Sequence, residues 1–458
     1  MFRQARENVG ENRRVDKMKK KVLSALLASA MVMGLLAGCG SSKDASQNAG
    51  GTETGNVENA AGGEKTKIRV YIGGDNANLN LKLVEDFNAQ STDAEAEIVT
   101  LTDGQSGYQM LTVMYNSNSA PNVFFLESGD IKNLQDKLAD VSDMECLQYA
   151  SEGTLDDVTY EDKVLGVPVK TQAYGIIYNK TAVADLLGED FDVNSITSLA
   201  DFEAACEKVE ENGAAATVIS PYNWSLGNHY FNMIYSGQDD PDAFVQSLKE
   251  GTADLANNEV FNSYMDSFDT LMAHNYYKEN PLEDVADEAV KQSQTLYTEE
   301  AVFWFQGSWE ANVIRQLDTE NEYGFIPVPL ASEDENNYGK ICSLVPGYFC
   351  VDIACSTEAQ QEASREFIEF ATISEYGQQY VIDDGNIPAY NNNDKEITES
   401  LVKSAYAYVS AEKTFPMYTK YPADHYEKVG NLMQQYLTGD LDRAALAAGI
   451  EAYWKGQK

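Results

Sequence analysis

The chain has 458 residues, with 33 Lys plus Arg against 73 Asp plus Glu, a formal charge of −40. That balance argues against nucleic acid and anionic lipid headgroups as charge-driven partners, because both need clustered positive charge. At 43% hydrophobic and 10% aromatic the chain can bury a large core, and its length suits about three domains' worth of structure.

The first readable element is an export signal. "MKKKVLSALLASAMVMGLLAGCGSS" starts at Met18 with a basic triplet, Lys19 to Lys21, followed by an apolar run from Val22 to Leu36. The run is too short for a comfortable membrane span. Residues 1–17 are polar, mixed in charge and unlike an n-region; they read as an upstream start that is not used. The run ends in "LAGC", Leu36 to Cys39, which resembles a bacterial lipobox. The resemblance implies cleavage that leaves residues 1–38 behind as signal peptide, and diacylglycerol on the Cys39 sulfur. Residues 39–66 are Gly, Ser, Asn, Thr and Glu with almost nothing to bury, the composition of a flexible tether. A lipid at one end of a tether holds a folded body at the outer face of a cell membrane, as in Gram-positive surface lipoproteins.

The body then alternates strands and helices. "KIRVYIGG" from Lys67 reads as a strand entering a loop, and "ANLNLKLVEDFNAQ" as a helix with Leu79, Leu83, Val84 and Phe87 on one face. "AEIVTLT" is a second strand, and a buried strand at Val123–Leu126 completes a β-α-β-α-β order, which means parallel strands under covering helices. Two apolar strands, Val164–Val169 and Tyr174–Tyr178, are separated by the polar "KTQ". Ser198 is the expected N-cap of the next helix, with Asp201 three residues on and Gly213 past its end. "AATVISPYNW" reads as a strand and a loop, and "FNSYMDSFDTLMAHNYY" as a helix. "AVFWF" from Ala301 is a buried strand, Gly307 breaks it, and Ser308 is placed to cap a helix starting at Trp309. Strand alternation puts Trp304 opposite Phe303 and Phe305, as a core residue. "ICSLVPGYFCVDIAC" gives two strands around Pro346-Gly347. "EASREFIEFATISEYGQQYVIDDGNIPAY" gives a long helix with a return loop, and the C-terminus two helices around Gly439.

Together these pieces resemble the family 1 extracellular solute-binding proteins, the maltose-binding type that serves ABC importers. The resemblance is carried by "GVPVKTQAYGIIYNK", "YTEEAVFWFQGSWE", "YGFIPVP", "SREFIEFATISEYGQQYV" and "LTGDLDRAALAAGIEAYW", in that order behind a lipobox, and covers the chain from Ile68 to its end. It implies an α/β fold of two lobes, with a ligand cleft between them and three hinge crossovers near Thr171–Gly175, Cys342–Gly347 and Asn386–Asn391. Lobe one is then 67–171 plus 346–388, and lobe two 175–343 plus 391–458. It also implies a monomer that captures a mono- or oligosaccharide by hinge closure and passes it to permease subunits, with no cofactor.

Sugars need flat aromatic platforms plus polar side chains at the ring edges. Asp75 and Asn76 follow the first strand at Gly73-Gly74, where the resemblance implies ligand contacts and plain turn chemistry is the alternative reading. Glu127 and Ser128 follow the "VFFL" strand, and open α/β sheets gather ligands at that end. Gln172 lies in the first crossover, where a hinge can also hold it for backbone bonding. Trp224, with Tyr222 as alternate, sits in a loop where the family offers platforms. Tyr348 and Tyr426 are further candidates, and the family tryptophan matching Trp309 stacks on a sugar ring. Each ring has the alternative reading of ordinary packing.

Other chemistry is not signalled. The histidines, His229, His274 and His425, are far apart and form no metal-ligand motif. No phosphate loop, dinucleotide fingerprint or nucleophile elbow is present. Cys146, Cys206, Cys342, Cys350 and Cys355 follow no disulfide framework and read as buried free thiols. The rival classes are a secreted glycosidase, with Glu310 beside Trp309 as the tempting carboxylate, and a lipoprotein adhesin.

Overall fold

The computed structural model describes residues 65–73, 76–100, 107–282, 295–331, 336–422 and 424–457. Met1–Thr66 forms one unit, which includes Cys39 and lies almost wholly outside the described residues; the fold below is that of the other unit, Lys67–Lys458. The strands in chain order are β1 (Thr66–Tyr71), β2 (Ala94–Ile98), β3 (Val123–Leu126), β4 (Thr159–Tyr160), β5 (Lys163–Val164), β6 (Val167–Pro168), β7 (Lys170–Asn179), β8 (Ala215–Ile219), β9 (Ala301–Gly307), β10 (Tyr323–Ile326), β11 (Ile341–Leu344), β12 (Tyr348–Val351), β13 (Ile387–Pro388) and β14 (Thr414–Pro416).

Two main sheets result. The first runs β2-β1-β3-β12-β6; the second runs β14-β11-β7-β9-β8, with β10 and β13 also on β7. In the first, β1 and β3 pair in parallel, Val70 opposite Val123, as a strand-helix-strand order requires. β12 returns antiparallel, Tyr348 opposite Leu126. Both faces are covered, so successive residues feed different cores. Val70, Val123, Phe349 and Val351 pack on one side; Phe124, Leu126, Tyr348 and Cys350 pack on the other. The second sheet repeats this arrangement: Phe303 and Phe305 face one core and Trp304 the other, with Tyr174 and Ile176 against Ala173 and Ile177.

β7 is the pivot between the sheets. Its start pairs with β13, Thr171 opposite Ile387. Its middle pairs with β11 and β9, and its end with β10. The polar "KTQ" therefore lies inside a strand and does not separate two. Its polarity is absorbed by a hydrogen-bonded network: Lys170 Nζ is 2.6 Å from the Asp384 carboxylate, Asn386 Nδ2 donates to that carboxylate at 2.8 Å, and Gln172 Nε2 donates to Asn386 Oδ1 at 2.8 Å. An unpaired charge here would be costly, so the pair and its amide partners fix the two chain segments together.

Local signals behave as their chemistry predicts in most places. Ser198 and Asp201 form a reciprocal capping box, and Gly213 and Gly439 take positive φ after helices. The long helix expected after residue 362 is two, Glu358–Ile373 and Glu375–Asp383, because Ser374 turns extended and its hydroxyl accepts from Gly377 N. Ser308 does not cap a helix. Its hydroxyl accepts from Ala173 N at 3.2 Å, and Ser308–Glu310 is a short 3₁₀ turn before the helix Ala311–Leu317. Cys146, Cys206, Cys342 and Cys350 are buried free thiols, while Cys355 is partly exposed. Among the described residues no helix is long and apolar enough to cross a membrane.

Candidate functional site

The site grows from the end of β9. Gly307 closes the strand, and a Cβ there would lie 2.2 Å from the Trp309 ring, so only glycine lets that ring fold back on the strand end. Trp309 is half-buried. Its ring centroid is 4.7 Å from His229, 6.1 Å from Tyr174 and 6.4 Å from Trp224. Trp224 stacks on Tyr222 at 5.9 Å. Five rings thus form one aromatic group at the second sheet.

The segment expected as a loop at Trp224 is a π-helix, Trp224–Tyr230. Its winding explains the cluster. Residues five apart point about 140° away from each other on an α-helix, but an i→i+5 turn brings them onto one face. Trp224 and His229 meet in this way, with centroids 5.3 Å apart. The segment is clamped to the helix His425–Leu437 by backbone approach at two glycines. A Cβ on Gly227 would meet Gly430 N at 2.7 Å, and one on Gly430 would meet Asn223 backbone at 2.4 Å. Asn223 Nδ2 donates to Asn431 Oδ1, and Gln434 Nε2 to Pro221 O. His229 is held neutral, its pKa pushed down to about 3 by burial.

A second group of polar residues comes from the first sheet. Glu127 follows β3 and Ser128 opens the helix Ser128–Leu134. Glu127 keeps solvent contact, yet the surrounding protein raises its pKa, with Asp130 adding to the effect. Residues packed on the second sheet approach it. Burial, then the charges of Glu127 and Asp157, push up the Tyr421 hydroxyl, which packs against that sheet's core. Beside it, the Thr419 hydroxyl donates to Asp157 Oδ1 at 2.7 Å. Tyr421 itself stacks on His425 at 4.8 Å.

Residues 77–378 match the family of bacterial extracellular solute-binding proteins. The chain belongs to that family. No curated protein matches its sequence. Among solved structures, the apo form of RafE from Streptococcus pneumoniae superposes with a TM-score of 0.69 at 15% identity, covering 87% of this chain and 99% of that one. A sugar transporter protein from Bacillus licheniformis, solved with stachyose, gives 0.64 at 16%, covering 85% and 99%. The GacH receptor of Streptomyces glaucescens, solved unliganded and with acarbose, gives 0.63 at 16%, covering 86% and 98%. At these identities the likeness is one of fold, the two-lobed α/β architecture of binding proteins.

In this binding protein the expected site residues scatter more than the resemblance implies. Trp309 and Trp224 come together, and Glu127 lies near Tyr421. Gln172 is half-buried in the crossover and spends its amide on Asn386. Asn76 is half-buried and caps the helix Ala77–Gln90, accepting from Leu79 N at 3.3 Å. Asp75 and Cys39 lie outside the described residues. Two further candidates lie apart from the aromatic group. Tyr348 is 2% exposed, its ring part of the core with Phe124 and Leu126 because the strand begins directly after Gly347. Tyr426 is 46% exposed and makes no ring contact with the aromatic group among the described residues; it is its carbonyl that lies under Gly227. His229, Tyr421, Asp157 and Thr419 were missed. Only the π-winding, or contacts more than 200 residues apart in sequence, bring them to the site.

Proposed function

We propose that this binding protein captures a carbohydrate between its two lobes and delivers it to the permease subunits of an ABC importer. The reading that fits has lobe one as 67–171 plus 346–388, lobe two as 175–343 plus 391–458, and closure about the three crossovers. The observation that carries it is the half-buried aromatic group of Trp309, Trp224 and Tyr222, with the Glu127 carboxylate supplied by the first sheet near Tyr421. Aromatic faces take the C–H patches of a sugar ring, while a carboxylate accepts from its hydroxyls. Ser128, Asp75, Asn76 and Gln172 are the candidates for further ring-edge contacts. The protein works as a monomer held at the outer face of the membrane by a lipid on Cys39. Labelled palmitate should enter the wild-type protein in cells and not Cys39→Ala.

Binding without catalysis is favoured over a glycosidase because the matching family and the superposed structures are those of binding proteins. The deciding experiment is a thermal-shift screen with raffinose, stachyose, acarbose, and chitin- and xylan-derived oligosaccharides. A sugar at a hundred times its Kd should add about 2.7 kcal/mol of stability. A flat response across the panel would overturn the carbohydrate reading, and new reducing ends would overturn the binding one.

A further inference from the structure

Glu310 is the buried group that the binding reading leaves unused. It follows the platform tryptophan in the 3₁₀ turn, is 4% exposed, and one of its carboxylate oxygens, Oε2, has no hydrogen-bond partner. A carboxylate with an orphan oxygen in a dry site is expensive, and the usual resolution is to keep the proton. Burial accordingly pushes its pKa up to about 8, with the neighbouring Trp309 side chain acting against this.

The turn packs against β7, the helix Ala311–Leu317 and the helix Ser400–Ser410. These carry Lys170, Tyr174 and Tyr178; Arg315; and Lys403, Tyr406 and Tyr408. None of them contributes to the charge state of Glu310. Lys170 is committed to Asp384, and Arg315 donates to Asn312 and to the Asp383 carbonyl. The imidazole of His229, on the other side of the Trp309 ring, is neutral. Ionised Glu310 would therefore face no compensating cation.

We propose that Glu310 is the positioning residue of the Trp309 platform, its buried neutral carboxyl setting the 3₁₀ turn that carries the ring, and that sugar capture by this cleft is thereby proton-linked. This rests on the binding reading of Trp309. When the proton leaves, the side chain must find water or a new partner, and the turn that sets the ring moves with it. The linkage has a definite sign. The folded protein keeps a proton that the unfolded chain loses in the ordinary carboxylate range, so the stability from this group falls as pH rises from there to about 8.

The test follows tryptophan emission of the full mature protein from pH 6 to 9.5, in wild type, Trp309→Phe and Glu310→Gln. Wild type should show a transition near pH 8 that both variants lose, glutamine being the permanently neutral isostere. Raffinose titrated at pH 6.5 and 9.5 should bind wild type at least fivefold more weakly at the higher pH, with the Glu310→Gln affinity constant. No transition in wild type, or one that persists in Glu310→Gln, overturns the proposal. If Glu310→Gln does not fold, the wild-type transition and its loss in Trp309→Phe still decide. If raffinose binds at neither pH, the carbohydrate reading is weakened while the emission titration still judges the role of Glu310.

Discussion

Trp304 and Trp309 are five residues apart and belong to the same piece of chain, yet they live in different environments. Trp304 is in the middle of β9, 0% exposed, with its indole N–H donating to Ser220 Oγ at 3.0 Å. Trp309 lies one turn past the strand end, half-buried, flat over a glycine and beside a neutral histidine. The difference is backbone, not side chain. A central strand delivers its residues to covered faces, and the first turn beyond it delivers the next large ring to the rim where open sheets gather ligands.

The comparison breaks most visibly at Trp304. Trp304→Ala should leave a cavity between β8, β9 and the helices behind them and cost about 3–5 kcal/mol, read as a lowered urea midpoint at unchanged slope. A loss under about 1 kcal/mol would mean that the ring is not the core residue its burial indicates. Trp309→Ala should do the reverse. The free protein should melt within about 1 kcal/mol of wild type, while sugar affinity falls by about 2 kcal/mol, roughly thirtyfold, from lost stacking and apolar area. Calorimetry separates the two. Wild-type affinity in Trp309→Ala would remove the ring from the site.

That contrast was legible from the order strand, glycine, turn. So were the alternating strands, the capping box at Ser198 and the overall two-lobed plan. Three features were not, each for a physical reason. "KTQ" reads as a break because its side chains are polar, but strand membership is decided by backbone pairing with β13 and β11, and the charge is hidden by Asp384, 214 residues away. The π-helix at Trp224 has no signature in a pattern search built on 3.6 residues per turn, so His229 looked like a lone histidine. Tyr348, after Pro346-Gly347, stands in the sequence as a ligand candidate with ordinary packing as its alternative. Both faces of β12 are buried, however, and an apolar strand with two covered faces carries no mark of which ring meets solvent.

A finer version of the comparison sets two hydrogen bonds side by side. Trp304 to Ser220 lies inside one lobe, so breaking it acts on folding. Ser220→Ala strands a buried N–H and should cost about 1–3 kcal/mol of stability.

Thr419 to Asp157 joins residues of the two proposed lobes, and on that division both side chains should reach water once the lobes part. Thr419→Val should therefore leave the unfolding midpoint of the free protein almost unchanged, because an opened Asp157 regains its solvent partners. Its effect should fall on closure: losing one net hydrogen bond of about 1 kcal/mol leaves roughly a fivefold smaller population of the closed form. Since a captured sugar leaves only after the lobes open, dissociation should quicken by about that factor while association stays near its wild-type rate. Stopped-flow tryptophan emission measures both rates. If Thr419→Val slows association instead and leaves release unchanged, the contact shapes the open cleft, and the boundary between folding bonds and closing bonds must be drawn elsewhere.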